Sequence, residues 1–135
     1  MIVLAWNPGN ATISKLPPCH YTFAFNVLGN KLNCHLTQRS GDIALGIPFN
    51  LACYSLLTMM IAKECGYEAG EFAHTIIDAH IYENHIEGLK EQLTRKPLKL
   101  AKIKIADKPF NELTFEDITL EDYESYPAIK FEVAV

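Results

Sequence analysis

Apolar residues fall at period two from Tyr21 to Leu28, with Tyr21, Phe23, Phe25 and Val27 sharing one side. They do so again from Lys31 to Gln38, where Leu32, Cys34 and Leu36 share a side. Side chains leave a strand alternately toward its two faces, so each run predicts a strand. Gly29-Asn30 between them suits a tight turn, because both residues accept positive φ cheaply. The spacing therefore predicts a β-hairpin over 19–38. The period then changes. Leu51, Tyr54, Leu57, Ile61 and Cys65 recur at three and four residues, which predicts a helix from about Asn50 to about Cys65, stopped by Gly66. Gly41–Pro48 holds glycine and proline and reads as a loop. Thr75-Ile76-Ile77 has the look of a buried strand, and Asp78, His80 and Tyr82 follow it on one face. Ile86, Leu89 and Leu93 mark a second helix over Glu83–Arg95, ended by Pro97. Ile2–Trp6, Leu100–Ile105, Thr119–Glu121 and Ile129–Val133 read as further short strands. Many strands with two helices predict an α+β, mixed-sheet fold.

Composition adds limits. The chain has 135 residues, 49% hydrophobic and 21% charged, which predicts one domain over residues 1–135 with a real core. A net charge of −4 points away from a nucleic-acid surface or an anionic membrane. The longest apolar stretch, Leu51–Ala62, is too short to span a bilayer, and no signal-peptide pattern opens the chain. Cys19, Cys34, Cys53 and Cys65 form no Cys-x-x-Cys pair, and read as reduced thiols of a cytoplasmic protein. His74, His80 and His85 match no zinc spacing, so no metal is expected.

Four places carry candidate chemistry. Cys19 is either a small buried hydrophobe or a nucleophile presented by the stiff Pro17-Pro18 approach. A thiolate needs positive charge nearby, and the hairpin would bring Arg39 back beside Cys19. Arg39-Ser40, a guanidinium beside a hydroxyl, suits a phosphate, although an exposed arginine is commonly just solvated. Asn50 reads as a helix N-cap, or as an amide that reads a pyrimidine edge with its acceptor and donors. Asp78, His80 and Tyr82 are either a solvent-exposed edge or a sugar-hydroxyl site.

Taken together the segments resemble the thymidylate synthase family. The resemblance lies in Leu16-Pro17-Pro18-Cys19-His20, in Gln38-Arg39-Ser40-Gly41-Asp42, and in Leu45-Gly46-Ile47-Pro48-Phe49-Asn50 followed by Ala52 and Tyr54. Asp78 through His85, Ala5-Trp6-Asn7-Pro8 and the closing Ala134-Val135 fit as well. The resemblance implies a partial thymidylate synthase-like fold, with a long buried helix packed on a twisted mixed sheet. It implies conversion of dUMP to dTMP with 5,10-methylenetetrahydrofolate. Cys19 would be the nucleophile, Arg39 and Ser40 would hold the phosphate, and Asn50 the uracil edge. His80 and Tyr82 would hold the ribose. Asp42 would contact dUMP as well as the folate; Leu45, Gly46 and Phe49 would line the folate site with it, and Val135 would close over the ligands. Family members are homodimers and longer than this chain. Their N-terminal half carries further arginines, a glutamate and a tryptophan, so the chain is expected to need a second copy or an N-terminal partner half. Ile77 stands where the family has glycine. Two other readings stay open: a dUMP hydroxymethylase-type relative, and a non-catalytic nucleotide-binding fragment.

Overall fold

The computed structural model describes residues 1–10 and 12–133. The chain divides into two compact units, Met1–Ile81 and Tyr82–Val135.

The first unit is a four-stranded sheet with one long helix. Strand β1 (Ile2–Leu4) pairs antiparallel with β2 (His20–Leu28), and β2 pairs antiparallel with β3 (Lys31–Asp42). Strand β4 (Glu68–His80) lies parallel to β3. A parallel neighbour needs a crossover connection, and helix α1 (Gly46–Glu64) supplies it. The sheet is therefore mixed, as the pattern predicts. At the hairpin turn only Gly29 takes positive φ, +62°, the geometry in which the first central residue must be glycine.

Strand β4 starts at Glu68, well ahead of the expected Thr75-Ile76-Ile77, and Thr75 and Ile77 face outward and are exposed rather than buried. Two further boundaries differ from the sequence reading, at the β3–α1 junction. Strand β3 runs on through Arg39-Ser40-Gly41 to Asp42, because β4 pairs with it as far as Asp42↔His80. Helix α1 starts at Gly46, ahead of Asn50, with Leu45 as an N-cap that makes no side-chain bond. Pro48 is tolerated because it falls in the first turn, where an N–H would have no intrahelical partner. The far end closes as predicted: Gly66 takes φ +72°, Tyr67 N–H donates to Ala62 O at 2.8 Å, and Gly66 N–H to Lys63 O at 3.2 Å. These two bonds satisfy carbonyls that the helix end would otherwise leave open.

One face of the sheet meets α1. It carries Phe23 and Phe25 from β2, Leu32, Cys34 and Leu36 from β3, and Phe72 from β4, against Tyr54, Thr58 and Ala62 of the helix. The buried helix stripe is Tyr54–Thr58–Ala62, flanked by Leu57 and Ile61, while Leu51 and Cys65 of the expected stripe are exposed. Leu36 is the centre of this core, with 0% exposure. Leu36→Ala is expected to cost about 2–5 kcal/mol, read as a lower midpoint in urea unfolding; a shift within error would place the core elsewhere.

In the second unit a 3-10 turn (Glu83–His85) leads into α2 (Ile86–Thr94), and β5 (Lys102–Ile105) pairs antiparallel with β6 (Ile118–Glu121). Ile129–Val133, expected as a strand, takes no regular structure; its backbone is held by side chains of the α2 region instead. Before β6, Thr114 and Asp117 form a capping box. Lys108, then Thr114, hold the Asp117 carboxyl down at a pKa of about 2. A carboxyl depressed on folding adds stability above the usual carboxylate range, and that stability is lost as pH falls toward 2. Asp117→Asn is expected to flatten acid unfolding of this unit between about pH 4 and 2, followed by circular dichroism. An acid limb unchanged by the substitution would count against the assignment.

Candidate active site

Along β3 the inward face changes character. Leu32, Cys34 and Leu36 are followed at period two by Gln38, Ser40 and Asp42. The partner positions on β4 change with them, from Phe72 to His74, Ile76, Asp78 and His80, through the register Gln38↔Ile76, Ser40↔Asp78 and Asp42↔His80. Helix α1 repeats the change. Its sheet-facing stripe at four-residue spacing is Asn50, Tyr54, Thr58 and Ala62, so its polar end lies over the polar end of the strands.

The contact there is specific. Gln38 is 2% exposed, and its Nε2 donates to Ser40 O at 2.8 Å and to Asn50 Oδ1 at 3.0 Å. A backbone carbonyl only accepts, so the Gln38 amide is fixed with its oxygen toward His74, whose Nε2 lies at 2.8 Å from Oε1. His74 must therefore carry its proton on Nε2. Burial, with His20 and then His35 nearby, pushes the His74 pKa down, which favours the neutral ring. Asn50 is left with its NH2 group and one acceptor site, a donor–acceptor edge of the kind that matches O4 and N3–H of uracil. Its reading as a helix N-cap is overturned, because it sits within the helix. Gln38 and His74 were missed as a pair by sequence reasoning. The available signal was parity: each is the first polar residue on an inward face that has been apolar up to that point, after Leu36 on β3 and after Phe72 on β4.

Cys19 lies at the other edge of β3, half-buried, just before β2. The ladder brings Arg39 opposite it: Arg39 N–H donates to Cys19 O at 2.9 Å. A register shift between His20 and Thr22 leaves Tyr21 as an extra residue beside Cys19. Such bulges re-aim neighbouring side chains. The Arg39 guanidinium forks onto Pro17 O, Nε at 3.3 Å and Nη2 at 2.7 Å, so the residue before Pro18-Cys19 is tied to β3. These two bonds use two of its five N–H groups, leaving three for an anion. Pleat alternation sets Arg39 and Ser40 on opposite faces, and past Arg39 strand β2 no longer pairs with β3, which leaves that side of the strand open. Trp6, Asn7, Leu16, Pro17 and Pro18 line a cavity of about 280 Å³ beside the Cys19 approach.

Asp42 Oδ1 accepts from Ala44 N–H at 2.9 Å and shapes the turn into α1. A Cβ built on Gly46 would come no nearer than 3.8 Å to Asn50 Oδ1 and Asp42 Cβ, so packing within the chain does not require this glycine. Phe49 in the next turn position is 75% exposed. His80 Nδ1 lies 3.3 Å from Asp78 O and 3.6 Å from Asp78 Oδ2. Asp78 and His80 share the inward face, whereas Tyr82 falls beyond β4, at the start of the second unit. Ile77 is 67% exposed on the opposite face of the sheet, away from Asp78 and His80. Val135 lies outside the described residues. Among the described residues no helix is long and apolar enough to cross a membrane, and no group of three His, Cys, Asp or Glu is placed to hold a metal ion.

The family model described as thymidylate synthase matches residues 1–135. Thymidylate synthases of Listeria monocytogenes serotype 4a (strain HCC23) and serotype 4b (strain CLIP80459) are each 53% identical over 137 aligned residues, covering 100% of this chain and 44% of theirs. The thymidylate synthase of Haloferax volcanii is 40% identical over 184 aligned residues, covering 99% of this chain and 54% of its own. The chain thus spans about half the length of the curated relatives it matches. With a match along every residue and relatives well above chance identity, the chain belongs to the thymidylate synthase family.

Proposed function

We propose that these residues are the C-terminal part of a catalytic domain that methylates dUMP to dTMP with 5,10-methylenetetrahydrofolate. The observation that carries the reading is the Gln38-held Asn50 edge at one end of β3, with Arg39 opposite Cys19 along the same strand. In this reading the Cys19 thiolate adds to C6 of the uracil ring, and C5 gains the electron pair and takes the one-carbon unit from the folate. C5 then loses its proton as the bond between the methylene and the folate nitrogen breaks, hydride moves from the released tetrahydrofolate to the exocyclic methylene carbon, and the bond to Cys19 breaks. The products are dTMP and dihydrofolate.

Arg39 and Ser40 hold the phosphate, Arg39 also favouring the thiolate. Asn50 holds the ring edge, and His80 and Tyr82 the ribose. For the folate, the room at Gly46 between Asp42 and Asn50 and the bare ring of Phe49 support Asp42, Leu45, Gly46 and Phe49 as its lining. Val135 is proposed as the closing residue. A second copy or an N-terminal partner half is supported by the outer face of the sheet, where Ile2, Leu4 and Ile77 are exposed beside the His35–Thr75 pair.

The test is to incubate the chain with 5-fluoro-dUMP and methylenetetrahydrofolate, then take an intact mass. Fluorine cannot leave C5 as the proton does, so a competent site traps a covalent ternary adduct. The expected result is one adduct per chain. No adduct from a folded sample, even with an N-terminal half of a relative supplied in trans, would overturn the reading.

A further inference from the structure

Resting on the assignment of Tyr82 to the nucleotide, we infer that His85 is a positioning residue that couples Tyr82 to the placement of the chain's C-terminal strap, residues 127–133. Both lie in the unit Tyr82–Val135. His85 has 0% exposure and ends the 3-10 turn that Tyr82 begins. In that geometry residues three apart eclipse, so the two rings meet edge to face, 5.6 Å between centroids at 77°. On its other side the His85 ring meets Phe131 edge to face, at 5.2 Å and 70°. Its Nε2 lies 2.6 Å from Glu132 O, and Asn84 Nδ2 donates to the same carbonyl at 3.1 Å. A carbonyl only accepts, so His85 donates from Nε2.

The rest of the strap is held the same way. Arg95 Nη1 donates to Pro127 O at 2.6 Å. At Gly88 an added Cβ would meet Phe131 Cε1 at 2.5 Å and Ile129 Cγ2 at 3.2 Å, so α2 seats the strap where it has no side chain. Grips on backbone carbonyls, together with Phe131 and Ile129 packed over Gly88, fix where the strap runs. They fix it three residues before Val135.

A histidine N–H donates along one direction in the ring plane, and the bond weakens steeply when that direction turns. The His85 ring is wedged between Tyr82 and Phe131, so its angle follows theirs. A ligand that holds Tyr82 still thereby holds the His85 donor on Glu132 O. The nucleotide would thus set the strap before the second substrate arrives.

The experiment is amide hydrogen exchange over 129–133, with and without saturating dUMP, alongside the dUMP affinity. One stabilised hydrogen bond corresponds to slowing of about fivefold, expected in the native chain. Tyr82→Phe keeps the ring edge on His85 but loses the hydroxyl through which the ribose would hold it, and is expected to lose the slowing even with dUMP saturating. Tyr82→Leu and His85→Phe, which lose the ring edge and the donor respectively, are expected to lose it. If His85→Phe does not fold, the surface pair at Tyr82 decides. Binding of dUMP that leaves strap exchange unchanged, or slowing that survives Tyr82→Leu, overturns the coupling. Failure of dUMP to bind the folded chain overturns the nucleotide assignment of Tyr82, and the coupling with it.

Discussion

Cys19→Ala is expected to form no covalent adduct with 5-fluoro-dUMP and folate, while Cys53→Ala and Cys65→Ala form it as the native chain does. The four thiols differ in ways that separate them. Cys34 is buried in the core beneath α1, and burial raises its thiol pKa, only partly offset by a hydrogen bond with Thr58. A raised pKa means less thiolate, which is the reacting form. Cys53 is exposed on α1 and Cys65 is exposed at its C-cap. Accessible to any reagent, they lie off the stripe that carries Asn50 and so have no nucleotide held against them. Cys19 combines partial exposure with a backbone fixed on both sides, by Pro17 O under the Arg39 guanidinium and by the Arg39 N–H on its own carbonyl. Where turnover is measurable, loss of a covalent nucleophile is expected to lower kcat by roughly 10⁴–10⁶-fold. An adduct that maps to Cys53 or Cys65, or that survives in Cys19→Ala, would sink the assignment.

The β2–β3 hairpin was legible because period-two alternation and Gly29-Asn30 agree with each other and with the final packing. The end of β3 was not. Arg39-Ser40-Gly41-Asp42 has no apolar alternation, and it is a strand because β4 pairs with it from 38 positions further along the chain, as in Ser40↔Asp78. A local cause hid the start of α1: Gly46 and Pro48 are breakers in general but harmless in a first turn. The helix face was misjudged for a different reason. The inward stripe contains Asn50, Thr58 and Ala62, none a large hydrophobe, so a search for apolar periodicity chose Leu51 and Cys65 instead. Ile129–Val133 has strand composition but finds carbonyl grips from Asn84 and His85 in place of a ladder. Cys19, Arg39 and Asn50 were nameable through motif resemblance. The relay behind Asn50 required knowing that β3 and β4 are parallel neighbours.

That relay makes the second large prediction. Gln38→Leu is expected to weaken dUMP binding by roughly 10–100-fold, with a smaller effect on dCMP, because a site that reads hydrogen bonds discriminates only while its amide is held in one orientation. Leucine fills the space but releases Asn50, whose amide can then flip and offer either edge. It also leaves His74 Nε2 without its acceptor, so part of the cost falls on stability. His74→Gln separates the two effects: a side-chain amide can still donate to Gln38 Oε1, so uracil preference should be retained. The titration of His74 gives an independent check. Its folded pKa lies below the ordinary 6.5, so the unfolded chain takes the proton first as pH falls. Stability should therefore decline below about pH 6.5, and His74→Gln should remove that part of the decline. Because a protonated His74 still donates through Nε2, uracil preference should persist through this titration while stability falls. Loss of nucleotide preference in step with the stability decline would show that Asn50 is not oriented through Gln38 in this way.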